Sequence, residues 1–450
     1  MDKINSNTQL LSGWGKYPVV ACNYSVPQDE TDLVRLIQAG PLIARGAGRS
    51  YGDSALSKNM TVSMTKFNHF LDFDDQNGIL TIEAGVILKD VIDAFLPKGW
   101  FVPVTPGTKF VTVGGMIAAD VHGKNHHNAK TFGSYILWID IMTSEGKVIR
   151  CSNDANTVLF NATIGGMGLT GIIIRAAFKL IKVESAWLKQ EVIATTNFEQ
   201  TYQLLLSIKD ATYIVAWVDS LAKDKNLGRA LIYSACHAKA NDLPEPYNHN
   251  PFLIPNKKPI NISYQTPINF INTFTCKIFN QITYLQGARN NKPYYIDYNS
   301  YFYPLDNILN WNNLYGKSGF TQFQCLIPVI AAKEGILKLL QTVAKSKVGC
   351  FLSVLKLLSA QTSFFSFPDE GFTITFDFPV TRDSKTVNLI NNLHAIVLEH
   401  GGRFYLAKDA HLSPEKFHGS DARAEAFYKL RKEHNMDSFF RSEQSDRLSL

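Results

Sequence analysis

Three glycine-rich runs fall before residue 175: Gly46–Gly52, Gly107–Gly115 and Gly165–Gly171. Glycine admits positive φ and lets main-chain N–H groups come close to a ligand, and successive N–H groups form anion-binding concavities. Three such runs together point to one extended, phosphate-bearing cofactor, a dinucleotide; any one alone reads equally as a tight turn. The only literal G-x-G-x-x-G, Gly166-Met167-Gly168-Leu169-Thr170-Gly171, leads into Ile172-Ile173-Ile174-Arg175-Ala176-Ala177-Phe178. That is a strand pattern, whereas a Rossmann fingerprint must open a helix. Glu191 stands about 20 positions further on, where a ribose-binding acid would be. Without the helix its spacing carries no weight, and a Rossmann NAD site is excluded.

Two lysines flank distinctive motifs: Lys124 in His122-Gly123-Lys124-Asn125-His126-His127, and Lys408 in Phe404-Tyr405-Leu406-Ala407-Lys408-Asp409. A lysine works as a base only if burial or a neighbouring cation lowers its pKa from about 10.4. Lys356 sits in the apolar Val354-Leu355-Lys356-Leu357-Leu358, where a pocket position and a solvated strand end are both open. Gln322 and Gln324 alternate on an expected strand and so share a face, with Phe320 beside them. The three histidines have no carboxylate or cysteine at metal-ligand spacing, and no metal is expected.

The elements that must position these groups are legible in part. Asp29, Glu30 and Thr31 cap a helix with Leu33, Val34, Leu36 and Ile37 on one face, stopped at Gly40. A strand over Leu42–Ala44 runs into the first glycine loop. Asn77-Gly78 joins two short strands, and a helix is expected from Leu88 to Leu96. A hairpin follows over Trp138–Thr143 and Lys147–Cys151, then a long strand from Gly171 to Val183. Residues 241–293, rich in Asn and Pro (Pro244, Pro246, Pro251, Pro255, Pro259, Pro267), read as a mobile loop or lid. Strands are expected at Phe320–Ile327 and Arg403–Leu406, and one polar helix from Pro414 to Glu433. No internal repeat is visible.

Composition narrows the class. Across 450 residues, 45% are apolar and 19% charged, which excludes disorder, collagen and coiled coil. The length exceeds what one hydrophobic core fills, so two domains are expected. The net charge of +6 is small, and the densest basic cluster, Lys429-Leu430-Arg431-Lys432, is closed by Glu433. No basic stripe suits nucleic acid. Six scattered cysteines read as reduced thiols. The N-terminus lacks a signal-peptide core and no run reaches a membrane span. The expectation is a cytoplasmic chain, open to peripheral contact at the inner membrane face.

With Ala44–Asp53 and Val111–His127 taken together, the chain resembles the vanillyl-alcohol-oxidase-type flavoproteins, and within them the decaprenylphosphoryl-β-D-ribose 2-oxidase branch. The similarity runs from Gly13-Trp14-Gly15 to Leu448-Ser449-Leu450 and is poor over about 241–300. It implies an α+β fold with a two-part PCMH-type FAD-binding domain (1–185), a separate mixed-sheet substrate domain (186–400) and a C-terminal segment (401–450) returning to the FAD domain. It implies FAD contacts from Ala44, Arg45, Gly46, Ala47, Gly48, Arg49, Ser50, Tyr51, Gly52, Asp53 and Ser54. Further contacts would come from Gly107, Thr112, Val113, Gly114, Gly115, Ala119, Asp120, Val121, His122, Ile172 and Tyr405, with His122 hydrogen-bonded to the flavin. Relatives that link flavin covalently do so through a His where Arg49 stands; arginine cannot form that bond at neutral pH, so the FAD is expected to be non-covalent.

By the same resemblance Lys408 and Lys124 are the catalytic pair. Tyr51, Gln322, Gln324, Trp217 and Lys356 would contact a sugar, or a polyprenyl-phosphoryl sugar. The keto-sugar formed would pass to an NAD-dependent short-chain reductase. The family's pocket Tyr, Asn and Cys are replaced by Phe302, Thr373 and Thr375, so the substrate is less constrained than the cofactor. Two other readings stay open: an oxygen-using aldonolactone or alditol oxidase, and a silent flavin-holding protein.

Overall fold

The computed structural model describes residues 6–450 except 209, 267–270 and 291; Met1–Asn5 and Pro267 of the sequence reading lie outside the described residues. Among these, three sheets carry the architecture. The first has four strands in the order Ser6–Ser12, Val19–Ser25, Thr61–Ser63, Ile43–Arg45. Its Ile43–Arg45 strand runs parallel to Thr61–Ser63 and delivers the chain into the first glycine loop. The helix Glu30–Gln38 covers this sheet through Leu33, Leu36 and Ile37, and the Asp29 carboxylate accepts from the Asp32 amide at its start. That is the expected cap.

The second sheet has five antiparallel strands in the order Phe70–Asp74, Ile79–Glu83, Ile172–Lys179, Ile136–Met142, Val148–Ser152. The Asn77-Gly78 hairpin and the 138–151 hairpin form as read. The long strand does not run unbroken to Val183. Leu180 turns its amide to the Gly78 carbonyl at 2.7 Å, and Ile181–Lys182 then pairs with Trp100–Phe101. Periodicity registers apolar character but not a change of partner.

The third sheet has eight strands, from Tyr294–Asp297 at one edge to Arg403–Phe404 at the other. The expected mixed sheet is corrected here: its pairings are antiparallel. The connectivity gives the reason. Strand Trp187–Thr195, helix Phe198–Ser207 and strand Tyr213–Val218 form a crossover, but Ala230–His237 inserts between the two strands and runs against both. Strand Phe320–Pro328, helix Val329–Ser346 and strand Ser353–Leu358 repeat this, with Gly371–Pro379 inserted. The two units meet where Ala216 and Trp217 pair with Leu355 and Val354. A structural repeat exists that the sequence does not display.

Side-chain alternation gives this sheet two faces. Ile214, Ala216, Phe323, Cys325, Leu355, Ile374 and Phe376 bury under the helices. Val215, Trp217, Gln322, Gln324, Val354, Lys356 and Thr375 face the other way, into a cavity.

Two more readings need correction. The 241–293 segment is not all loop, because Thr273–Arg289 is a helix with a capping box at Asn272 and Thr275. The polar tail helix is broken: Pro414–Ser420 ends at Asp421, whose extended backbone and pairing with Arg423 start a second helix, Arg423–Glu433. The tail also serves two parts. Arg403–Phe404 adds to the third sheet, while the Arg441 amide donates to Leu42 and the Glu443 amide to Leu56 beside the first sheet.

Arg447 closes that return. Its guanidinium pairs with Asp53 at 2.7 Å and Asp409 at 2.9 Å, both carboxylates being buried. Removing one partner of a buried ion pair strands the other charge and is strongly destabilising. Arg447→Met is expected to lose about 3 kcal/mol of unfolding free energy, read from urea denaturation; an unchanged midpoint would show the cluster to be dispensable.

Candidate active site

One cavity of about 840 Å³ lies between the glycine loops and the third sheet. Its first wall begins where the Ile43–Arg45 strand ends. Arg45 turns away, donating to the Ser12 carbonyl at 2.8 Å, and Gly48 sits over its guanidinium with φ +65°, where a Cβ would collide. The chain beyond is left with bare amides: among the described residues, the N–H groups of Ala47, Gly48, Arg49 and Ser50 have no protein acceptor. The opposite wall is the short helix Val113–Ala118, whose Thr112 side chain accepts from the Gly115 amide. Gly46 touches Thr112 so closely that a Cβ there would overlap the hydroxyl, and Gly114 presses on Ala84. Uncovered amides along a glycine-walled channel suit a pyrophosphate.

Most of the residues expected at the cofactor line this cavity: Ala44, Gly46–Tyr51, Ser54, Gly107, Thr112, Gly114, Gly115, Ala119, Val121, His122 and Tyr405. Six stand outside its wall, for visible reasons. Arg45 braces the loop from behind, and Gly52 lies against the Asp409 carbonyl. Asp53 is held by Arg447. Val113 and Ile172 are core, Ile173 taking the wall position instead. Asp120 is fully buried, accepting from the Gly133 amide and Gln361.

The other end of the cavity is built by the third sheet and the Leu406–Lys408 turn. Lys408 Nζ lies 3.9 Å from the centre of the Tyr51 ring, which meets Phe320 edge-on at 5.4 Å. Gln322 donates through Nε2 to Asp377 Oδ1 directly across the ladder. Lys356 Nζ lies 3.1 Å from His122 Nδ1, and Gln324 Nε2 lies 3.0 Å from His122 Nε2 and 3.1 Å from Thr373 Oγ1. Both ring nitrogens of His122 are therefore engaged by protein, which places the ring. Lys124 Nζ donates to the Tyr301 carbonyl and lies 4.0 Å over the Tyr301 ring. Trp217 and Thr375 complete the wall.

Charge is concentrated here. Burial, followed by the nearby Lys356 cation, brings Lys124 down to about 7. Burial and then Lys408 bring Lys356 down to about 7. Lys408 is lowered by burial, against the opposing pull of Asp377, whose own carboxyl is raised by burial. His122 is pushed well down by burial and then Lys356, so its imidazole is neutral. Amines that lose their protons near neutral pH are able to accept one from a hydroxyl.

Sequence reasoning passed over Asp377 as a functional group. Its signal was a lone carboxylate in the otherwise apolar Phe376-Asp377-Phe378. It also left out Trp14 and Phe110, which sandwich the Arg49 guanidinium at 4.1 and 5.4 Å, contacts that no spacing foretells. Phe302 lines the cavity while packing on Tyr213 and Phe101.

A channel walled by glycine amides and ending at proton-accepting groups defines an FAD-dependent oxidoreductase, and the family pattern described as "FAD binding domain" matches residues 24–152. The decaprenylphosphoryl-β-D-ribose oxidase of Mycolicibacterium smegmatis is 33% identical over 99% of this chain and 98% of its own. This chain belongs to that family. Cytokinin dehydrogenase 5 of Arabidopsis thaliana (31% identity) and L-gulonolactone oxidase of Scyliorhinus torazame (26%) match about a third of this chain, and 31% and 33% of their own.

Gly46→Val would drive a side chain into Thr112 and narrow the channel. Overpacking of about 1–3 kcal/mol is expected to weaken FAD binding ~5- to 100-fold, read from the flavin absorbance per mole of purified protein and by titration with added FAD. Full occupancy would contradict the placement.

Proposed function

We propose that this protein oxidises a secondary hydroxyl of a sugar, C2′ of a polyprenyl-phosphoryl-β-D-ribose, to the keto-sugar, as the first half of an epimerisation completed by an NAD-dependent short-chain reductase. The observation that carries this reading is the convergence of Lys408, Lys356 and Lys124 with Gln322 and Gln324 in the cavity that the glycine loops share. We assign residues 1–185 to cofactor binding and 186–400 to the substrate, with 401–450 returning Lys408 to the junction.

FAD, when bound, accepts the hydride from the carbinol carbon. The protein supplies position and proton transfer. Lys408, which burial lowers to about 8 against the pull of Asp377, takes the hydroxyl proton on Nζ in its unprotonated form. Tyr51 holds that amine against its ring face. Gln322, fixed by Asp377, and Gln324, fixed by Thr373 and His122, grip the sugar hydroxyls. Lys356 and Lys124 supply polar contacts deeper in, and Trp217 makes an apolar wall. The amides of Ala47–Ser50 would hold the pyrophosphate. With Arg49 at the attachment position, the flavin is held without a covalent bond.

The reading is supported by the 33% identity carried through both the cofactor loops and the sheet. The lactone-oxidase match covers too little of the chain to favour the oxygen-using alternative.

Lys408→Met is expected to stay yellow while substrate-dependent bleaching under anaerobic conditions slows by ~10²–10⁴; an unchanged rate removes Lys408 from the reaction. Because the neutral amine is the active form, bleaching is lost as pH falls through the folded pKa of Lys408, so the limb lies below the ordinary ~10.4. Asp377→Asn removes the negative charge that favours the ammonium and moves that limb to lower pH; a shift upward would contradict the arrangement. Acid precipitation is expected to release the flavin into the supernatant.

A further inference from the structure

The Thr273–Arg289 helix leaves large apolar side chains exposed and buries polar ones. The face it turns to the third sheet carries Cys276, Asn280 and Tyr284. Asn280 donates to Asp219 at 2.8 Å and Tyr284 to the Thr195 carbonyl at 3.2 Å, while Gly287 lies on Leu231. The face it turns outward carries Phe274, Ile278, Phe279, Ile282 and Leu285, between 46% and 72% exposed. Leu253, Ile260 and Tyr264, from the chain leading to it, are exposed as well. The remaining exposed large apolar residues are spread over the rest of the chain, where singly they are ordinary. A contiguous apolar face of this kind marks a binding surface.

The charge around it is one-sided. From Pro246 to Ile296 there is no Asp or Glu, although the chain as a whole has one per about twelve residues. The same stretch carries Lys258, Lys277, Arg289 and Lys292, besides Lys257, which is paired with Asp297 at 3.0 Å. Apolar side chains flanked by cations and free of acids fit a negatively charged bilayer: the apolar face enters the headgroup region and each nearby cation adds about 1 kcal/mol. Among the described residues no helix is long and apolar enough to cross a membrane, so such a helix lies on the surface. Phe279 and Thr283 of the same helix also line the cavity, and Phe279 meets Phe351 at 5.7 Å. The outward face is thus continuous with the cavity mouth.

We infer that the outward face of the Thr273–Arg289 helix docks this protein on an anionic lipid bilayer and opens the cavity beside it, so that a polyprenyl chain passes from membrane to site without crossing water. This deepens the function proposed above, on which it rests for choosing a bilayer over a protein partner.

The test is co-sedimentation of the flavin-loaded full chain with vesicles of phosphatidylglycerol and phosphatidylcholine, and of phosphatidylcholine alone. Wild-type protein is expected on the anionic vesicles at low salt, with ~10-fold or greater loss on neutral ones and at high salt. Phe274→Ser/Ile278→Ser/Ile282→Ser, and separately Lys277→Glu/Arg289→Glu, are expected to lower retention by ~10-fold or more. These residues are exposed and outside the cavity wall, so flavin content, unfolding temperature and turnover of a water-soluble short-chain analogue should stay at wild-type values. Failure of the wild type to bind, equal binding to neutral lipid, or equal binding by both variants would overturn the proposal. So would self-association abolished by the triple variant in the absence of vesicle binding, since a second copy would then be the occupant. Vesicle binding that persists while no polyprenyl-phosphoryl sugar bleaches the flavin would refute the substrate and leave the docking surface standing.

Discussion

Three lysines line one cavity, with the buried Asp377 behind Gln322 at the Lys408 end, and the site's chemistry rests on that imbalance. Taking an ammonium out of water is costly, and placing others beside it adds repulsion. The structure answers by lowering all three amines, Lys124 and Lys356 to about 7. The same field keeps His122 neutral. A neutral imidazole between Lys356 and Gln324 orients both without adding a further charge. Asp377, opposing the desolvation of Lys408, is the one group that holds this balance from below, and it also locks Gln322.

The imbalance is tolerable only because the surrounding frame is fixed from several directions. Arg447 grips Asp53 just after the first glycine loop and Asp409 next to Lys408, so one guanidinium ties that loop to the Lys408 turn. The Ile214 amide donates to the Lys124 carbonyl at 2.7 Å, joining the central strands of the third sheet to the His122–His127 segment. Position within about half an ångström decides whether such groups act, and both ties cross between regions far apart in the chain.

Phe302, Thr373 and Thr375, where the resemblance led us to expect departures, each have a definite setting in the structure. Thr373 still holds Gln324, so the glutamine's placement survives. Thr375 presents its side chain to the cavity. Phe302 is absorbed into the cluster of Phe101, Tyr213 and Tyr298 and has no hydroxyl to offer a ligand.

The local devices were legible in the chain itself: the Asp29 cap, the Asn77-Gly78 turn, the glycine loops and the alternation that sets Gln322 and Gln324 on one face. Each depends on neighbours a few residues apart, and residue type alone decides them. The lysine motifs were legible only through their resemblance to known flavoproteins. What needed the tertiary structure involves partners distant in sequence. The inserted strands that make the third sheet antiparallel, the break at Leu180, and the placing of Asp377 within electrostatic reach of Lys408 are settled by packing, which local periodicity does not encode. The Thr273–Arg289 helix escaped notice for a related reason. Its apolar residues are spread around it and several are exposed, while Asn280 and Tyr284 face the sheet, so no buried apolar stripe marks it and only the fold shows which side meets the protein.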